Sequence, residues 1–484
     1  MSIAEKKLFL PALIISIFSL SFVLRYLAYA QTNYATGWDN YFYIIQIKSY
    51  IENGYMHSSR ISLFYPLLIG IQFFAHDYIL TTKIAACLIV SSFAVMMFLL
   101  ALKLSQRNIV ASIIVGVYFV FSPQLTYYGA QFTHNLLGAL LFIIFFYFLI
   151  LEKKMYAMIS FGAILLVHKL TAGLSLVCLL IWVLLRMKMI KHYKYFVYGI
   201  IAIIIVGLLA VSVFNTNDWA RDEHVFSNIP SIPTYSFLKS FSDILNSWWT
   251  IEILLSALLF LSALVYHFVL KKGNDINAVL YLSCLLLLYF PFLTWSINGF
   301  AYRFFMLFSI LAPLLLIYFT SYIKKGVSMS LSLVLIAASF VSYKSYNPEF
   351  QDPSYQKYQF ISKIIDQKKS RINFELIIAH KCLAEYISYS TGIDAIPWVP
   401  EYEIKKNRLW RIVHGLKAKT ARYYSGDENS IYVEELTPNY ILIRDDVWKN
   451  CLLKMKEDDL DLYEEIIADW MNPQKVRPAF LIKN

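Results

Sequence analysis

The chain has 484 residues, of which 58% are hydrophobic and only 15% charged, and its mean hydropathy is +0.55. This composition excludes an ordinary soluble globular protein and predicts a protein that uses the lipid bilayer as its solvent. The net charge of +11 does not indicate a nucleic-acid partner, because the basic residues are spread over short connections between apolar segments.

Apolar segments long enough to cross a hydrocarbon core of roughly 30 Å recur along the first two-thirds of the chain. They predict a polytopic α-helical membrane protein with about 11 transmembrane helices. The predicted spans are 8–28, 79–102, 108–126, 133–151, 155–167, 169–186, 195–214, 247–270, 276–297, 303–323 and 327–343. The pair 155–167 and 169–186 is short for two spans, and is alternatively a hairpin that reaches the outer surface only at His168 and Lys169.

The orientation follows from the basic clusters, which mark cytoplasmic loops. They are Lys6 and Lys7; Lys103 and Arg107; Lys153 and Lys154; Arg186, Lys188, Lys191 and Lys194; Lys271 and Lys272; Lys324 and Lys325. An odd number of spans with a cytoplasmic N-terminus places the C-terminus outside, in a multi-pass protein of the plasma membrane. The first apolar run, followed by Ala28 and Ala30, also resembles a cleavable signal peptide, but Arg25 and the length of the run favour an uncleaved anchor.

Two regions are predicted from the change in composition near residue 344. Residues 1–343 form the transmembrane domain, whose first outer loop, 31–78, contains interfacial helices at 39–51 and 62–74, with Gly54 between them. Residues 344–484 form an extracytoplasmic C-terminal α/β domain, with strands at 374–379, 395–399 and 440–443 and a helix at 380–390. Cys382 and Cys451 of this domain can pair if they lie close together, whereas Cys87, Cys178 and Cys284 are expected to pack within apolar helices.

Asp39 is the first candidate for chemistry. It stands just beyond the first span, among aromatic residues expected at the level of the lipid headgroups. A carboxylate there can take the proton from an acceptor hydroxyl or amine while a sugar leaves its phosphate. The alternative is that Asp39 only caps the interfacial helix.

Further candidates lie at the predicted outer ends of spans. A guanidinium or ammonium at headgroup depth can hold a phosphate, which makes Arg303 and Lys169 candidate donor-phosphate ligands. The candidate substrate contacts are His168, His134, Tyr41 and Asp77, and the weak candidates for a metal site are Asp222 and His224. Each of these residues can instead be an ordinary interfacial side chain.

The sequence resembles the GT-C superfamily of membrane glycosyltransferases, which includes protein O-mannosyltransferases, aminoarabinose transferases of lipid A and oligosaccharyltransferases. The resemblance rests on Asp39 in an aromatic first outer loop and on four short motifs: Glu52-Asn53-Gly54, Tyr65-Pro66-Leu67-Leu68, Ser122-Pro123 and His168-Lys169-Leu170-Thr171, together with an Arg that opens a late span. It implies a GT-C-like fold in which Asp39 is the catalytic base or a metal ligand. A Trp-Trp-Asp-Tyr-Gly signature, expected of an oligosaccharyltransferase, does not occur.

That departure favours transfer of a single sugar from a polyprenyl-phosphate donor to an extracytoplasmic glycan, lipid or protein. A divalent metal ion stays open as a cofactor. One alternative is a polysaccharide polymerase or ligase of the O-antigen type, which also joins lipid-linked sugars outside the membrane. Another is a transporter of polysaccharides or lipids, although transporters place ionisable residues near the bilayer midplane in broken helices. An inactive relative that serves as a membrane subunit is the third.

Overall fold

A computed structural model shows a mostly helical protein. It describes residues 3–37, 39–56, 62–187, 250–265, 280–285, 288, 302–317, 359, 362–363, 366, 376–379, 381–392, 395–397, 431–437 and 440–445. The described residues fall into two compact units. Unit 1 lies within Met1–Thr36, Ile61–Phe214 and Val225–Pro348, and unit 2 within Gly37–Arg60, Asn215–His224 and Glu349–Asn484.

Unit 1 is built from apolar helices. They are α1 (Ile3–Tyr29), α3 (Phe64–Ala75), α4 (Tyr78–Leu104), α5 (Ile109–Phe121), α6 (Pro123–Gln131), α7 (Thr133–Ile150), α8 (Lys154–Leu165), α9 (Lys169–Met187), α10 (Thr250–Leu264) and α11 (Tyr302–Leu311), which continues as a 3-10 turn over Ala312–Leu315. Within the described residues, three helices are long and apolar enough to cross a membrane, or four if the bent pair α5 and α6 forms one span. The predicted spans 195–214 and 327–343 lie outside the described residues, so the count of eleven stays a prediction.

The predicted span 108–126 is wrong as a single helix. The chain breaks at Ser122, and α5 and α6 meet at 51°. Pro123 lacks a backbone N–H and tolerates only the first turn of a helix, while the Ser122 hydroxyl accepts the N–H of Leu125 at 3.1 Å and so begins α6. The apolar run continues across the break, which is why hydropathy alone does not reveal it.

Arg25 of α1 stabilises this break. Its guanidinium is fully buried and donates to the carbonyl oxygens of Phe119 (2.9 Å), Ser122 (3.2 Å) and Val120. The last carbonyl groups of a helix have no partner within the helix and carry the negative end of its dipole. A cation is therefore the fitting partner for the C-terminus of α5.

Helices α7, α8 and α9 run up, down and up. The ring of His134, at the start of α7, contacts that of His168, just before α9, while Glu152, after α7, forms an ion pair with Arg186 in the last turn of α9. Contacts at both ends show that α7 and α9 are parallel. The connection between α8 and α9 spans only residues 166–168.

Unit 2 combines one helix from the first loop with a small α/β assembly. The helices are α2 (Asn40–Asn53) and α12 (Lys381–Thr391), and the strands are β1 (Leu376–Ala379), β2 (Ala395–Pro397), β3 (Ile431–Thr437) and β4 (Tyr440–Asp445), in the sheet order β2-β1-β4-β3. Strand β1 is parallel to β2 and β4, and β3 is antiparallel to β4. Helix α12 is the crossover between β1 and β2, so the three strands and the helix predicted for the tail are present, while β3 was not predicted.

Candidate functional site

A polar cluster at the paired starts of α7 and α9 brings together two of the predicted site residues. The rings of His134 and His168 meet edge to face with their centroids 5.9 Å apart. The hydroxyl of Ser62 lies 2.9 Å from Nε2 of His134, and the ring of Phe64 stacks on the same imidazole at 5.1 Å. We call Ser62, Phe64, His134, His168 and Thr171 the histidine cluster.

The chain holds His168 in place through the first turn of α9. The backbone N–H of Thr171 lies 3.4 Å from Nδ1 of His168, and the Thr171 hydroxyl lies 3.3 Å from the same atom. The imidazole thus satisfies one of the donors that a helix start leaves without a partner. This role of Thr171 was not predicted from the sequence, although the spacing of His168 and Thr171 is that of an N-cap and the third residue of its helix.

Gly138 allows α7 to approach this turn. A Cβ atom built on Gly138 would lie 2.7 Å from Cβ of His168 and 2.6 Å from the Thr171 hydroxyl oxygen. No side chain fits there without moving α9. The glycine therefore sets the distance between the two helices at the level of the two imidazoles.

The residues at the start of α3 also contact the histidine cluster and the turn before α9. The backbone N–H of Leu63 donates to the carbonyl of Leu166 at 3.1 Å, and the N–H of Phe64 donates to the Ser62 hydroxyl at 3.2 Å. The second part of the first outer loop is thus attached to the turn between α8 and α9. Ser62 was not predicted as a member of this cluster, although it is the first residue of the predicted helix 62–74.

The cluster is chemically suited to an anion. Lys169 is exposed and is the first residue of α9, so its ammonium lies near the positive end of the helix dipole. Backbone N–H groups at helix starts, imidazoles and an ammonium are all groups that hold phosphate oxygens. His134 and His168 are half-buried and thus reachable at their edges.

Asp39 belongs to unit 2, where it occupies the N-cap position of α2. Its side chain makes no capping hydrogen bond, and its backbone is already helical at φ −106° and ψ −8°. Two residues earlier, Gly37 adopts φ 76°, a left-handed conformation that favours glycine. The capping alternative considered for Asp39 is not realised.

Asp77, unlike Asp39, caps a helix with its side chain. Its carboxylate accepts the N–H of Leu80 at 2.6 Å and begins α4. A structural role is therefore sufficient to explain this residue, which sequence analysis considered as a substrate contact.

Tyr41, another predicted substrate contact, lies inside unit 2. Only 1% of it is exposed, and its ring packs on those of Tyr386 and Tyr389 of α12 at 5.2 and 5.3 Å. Its observed contacts are thus packing contacts between α2 and α12.

Several predicted site residues lie outside the described side chains. Arg303 is the second residue of α11, and its side chain lies outside the described part, as do Asp222, His224 and Cys451 altogether. A common site for Asp39, Arg303 and His168 stays a prediction, as does the pairing of Cys382 with Cys451. In the described stretches, no three His, Cys, Asp or Glu side chains come together as metal ligands.

Comparison with known proteins gives a likeness in structure and none in sequence. No protein-family model and no curated protein matches the sequence. The structure is similar to that of the archaeal oligosaccharyltransferase AglB from Archaeoglobus fulgidus, solved in complex with an inhibitory peptide and a dolichol-phosphate, with a TM-score of 0.44 and 12% sequence identity. The match covers 81% of this chain and 65% of that one, so this chain spans less than two-thirds of its length. A likeness at this identity and TM-score carries no functional argument.

Proposed function

We propose that this chain is an integral membrane glycosyltransferase that moves a single sugar from a polyprenyl-phosphate donor to an extracytoplasmic acceptor, with Asp39 as the base. The observation that carries the proposal is the position of Asp39. It is a half-buried carboxylate at the N-cap position of α2, two residues after Gly37, whose backbone is left-handed. Three described apolar helices supply the membrane setting in which a polyprenyl chain dissolves.

In the reaction, a carboxylate oxygen of Asp39 takes the proton of the acceptor hydroxyl or amine. The acceptor atom forms a bond to the anomeric carbon of the sugar while the bond from that carbon to the phosphate oxygen breaks. Both electrons of the broken bond stay with the phosphate, which leaves as polyprenyl phosphate. No second acid is required, because a phosphate monoester is a good leaving group without protonation.

We propose that Lys169 and Arg303 hold the donor phosphate, with His134 and His168 as further contacts. Lys169 and the start of α9 supply positive potential, and His134 and His168 supply N–H donors. Arg303 is the further cation proposed for this role, from its place at the start of α11.

The test is Asp39→Asn in protein reconstituted in nanodiscs. The assay offers a panel of radiolabelled polyprenyl-phosphate hexoses and pentoses with an envelope extract as acceptor, and measures released polyprenyl phosphate. We expect at least about a 100-fold loss of rate, because the amide cannot accept the proton. Glu52→Gln is the matched control, since Glu52 is an exposed carboxylate on the same helix. Wild-type rates in Asp39→Asn would refute the assignment of the base.

A transporter of lipid-linked glycans is the second candidate, because the break between α5 and α6 resembles the discontinuous helices of transporters. In such proteins the carbonyl groups at the break face the substrate or ion. Here three of them accept hydrogen bonds from Arg25, so a protein cation already occupies that position. A transporter would move a fluorescent polyprenyl-phosphate sugar between vesicle leaflets without releasing polyprenyl phosphate.

A further inference from the structure

Helix α2, which begins directly after Asp39, packs on a helix that lies more than 300 residues further along the chain. Tyr41 and Lys48 of α2 are seven residues apart, so they lie on one face, two turns from each other. Both contact α12, and both belong with it to unit 2.

Tyr41 and Lys48 both contact Tyr389 of α12. Its ring packs on Tyr41 at 5.3 Å, and the ammonium of Lys48 lies 5.6 Å from the centre of the same ring. The Lys48 ammonium also donates to the Tyr389 carbonyl oxygen at 3.2 Å. Tyr386, one turn earlier on α12, completes the contact with an edge-to-face packing on Tyr41 at 5.2 Å.

Two contacts separated by two turns restrain a helix in a way that one contact does not. A single contact lets the helix rotate or slide, whereas two contacts on one face hold both its rotation about its axis and its position along it. Tyr41 is only two residues from Asp39, so the restraint acts close to the carboxylate.

We propose that Lys48, Tyr386 and Tyr389 are positioning residues for Asp39, and that the C-terminal α/β region acts in the reaction by holding α2 through them. This inference depends on the role proposed for Asp39. A small rotation of α2 is enough to misplace the carboxylate. Side chains project about 5–6 Å from a helix axis, so a rotation of about 10° moves a carboxylate by about 1 Å. A displacement of that size lowers a rate by about 100-fold.

The experiment compares substitutions of Tyr389 in the nanodisc assay described for Asp39→Asn. Tyr389→Ala removes the ring that both α2 residues contact, and we expect kcat to fall by about 100-fold while the donor KM changes less than about threefold. Tyr389→Phe keeps the ring and should restore kcat to near the wild-type value. Tyr50→Ala is the matched control, because Tyr50 is 46% exposed on the same α2 helix.

A second pair of substitutions covers the case in which Tyr389→Ala fails to fold. Lys48→Met keeps the length of the side chain and removes its charge, and we expect about a tenfold loss of kcat. Lys48→Arg retains the cation over the ring and should recover most of the wild-type kcat.

The double variant Asp39→Asn with Tyr389→Ala separates positioning from general damage. If Tyr389 acts through Asp39, the double variant is no slower than Asp39→Asn alone. A further loss of rate, or a Tyr389→Ala enzyme with the wild-type kcat, overturns the inference. Wild-type activity in Asp39→Asn itself refutes the proposed role of Asp39 instead, so the two failures are distinguishable.

Discussion

Arg25 illustrates how a charged side chain is accommodated inside the helices of unit 1. It lies one turn before the end of α1, fully buried, with its guanidinium at the C-terminal carbonyl groups of α5. From the sequence alone, Arg25 indicates only that the first span is not cleaved. Its acceptors are 94–97 residues away, and no pattern in the sequence connects positions at that distance.

Arg25→Met should destabilise unit 1, because it leaves buried carbonyl groups at the end of α5 without a donor. We expect a loss of about 2–4 kcal/mol in the free energy of unfolding, measured as a lower melting temperature in detergent. Lys103→Met is the control: it also removes one basic charge, but from an exposed position at the end of α4, and it should melt like the wild type. Equal melting temperatures for Arg25→Met and the control would contradict this role.

Residue type alone predicts the role of one aspartate of the chain correctly and of another incorrectly. Aspartate at the start of a helix predicts a cap, and this is correct for Asp77 and incorrect for Asp39. The difference lies in backbone geometry: Asp77 is extended at ψ 124°, where the carboxylate reaches the N–H of Leu80, whereas Asp39 is already helical.

Helix positions could be predicted from the sequence more completely than helix contacts. The bounds of α2, α4, α7 and α12 agree with the predicted segments to within about two residues, because each begins or ends at a clear change of polarity. The placement of His134 and His168 at outer helix ends predicts only a common depth. That they are neighbours follows from the packing of α7 on α9, which depends on Gly138.

Gly138→Leu should separate α7 from α9 and disperse the histidine cluster. The added side chain meets His168 and Thr171 at distances that real atoms do not tolerate, so we expect a loss of donor binding, seen as a raised donor KM in the nanodisc assay. Gly173→Leu on α9 is the matched control, since a Cβ at Gly173 meets nothing within 4 Å. An unchanged KM in Gly138→Leu would remove the cluster from the donor site.

The membrane orientation of the chain stays a prediction from its basic loops. The ion pair of Glu152 with Arg186 brings together two predicted cytoplasmic ends, and the contact of His134 with His168 brings together two predicted outer ends. The association of residues 37–60 with the C-terminal region was not predictable, since it joins segments with no shared sequence pattern.

Cysteine labelling tests the orientation directly. With Cys382 and Cys451 replaced by serine, Lys169→Cys should react with a membrane-impermeant maleimide in intact cells, while Lys153→Cys should react only after permeabilisation. Both positions are exposed in the structure, so access differs only by side of the membrane. The reverse pattern would invert the topology.

The long separation between α2 and α12 has a consequence for biogenesis. Lys48 and Tyr389 are 341 residues apart, which at a synthesis rate of roughly 5–20 residues per second is an interval of about 17–70 s. During that interval Tyr41, which ends with 1% exposure, lacks its partners on α12. The nascent chain must therefore shelter this face of α2 at the membrane interface or with a chaperone, and the helix that begins after Asp39 reaches its final setting only when the C-terminal region emerges from the ribosome.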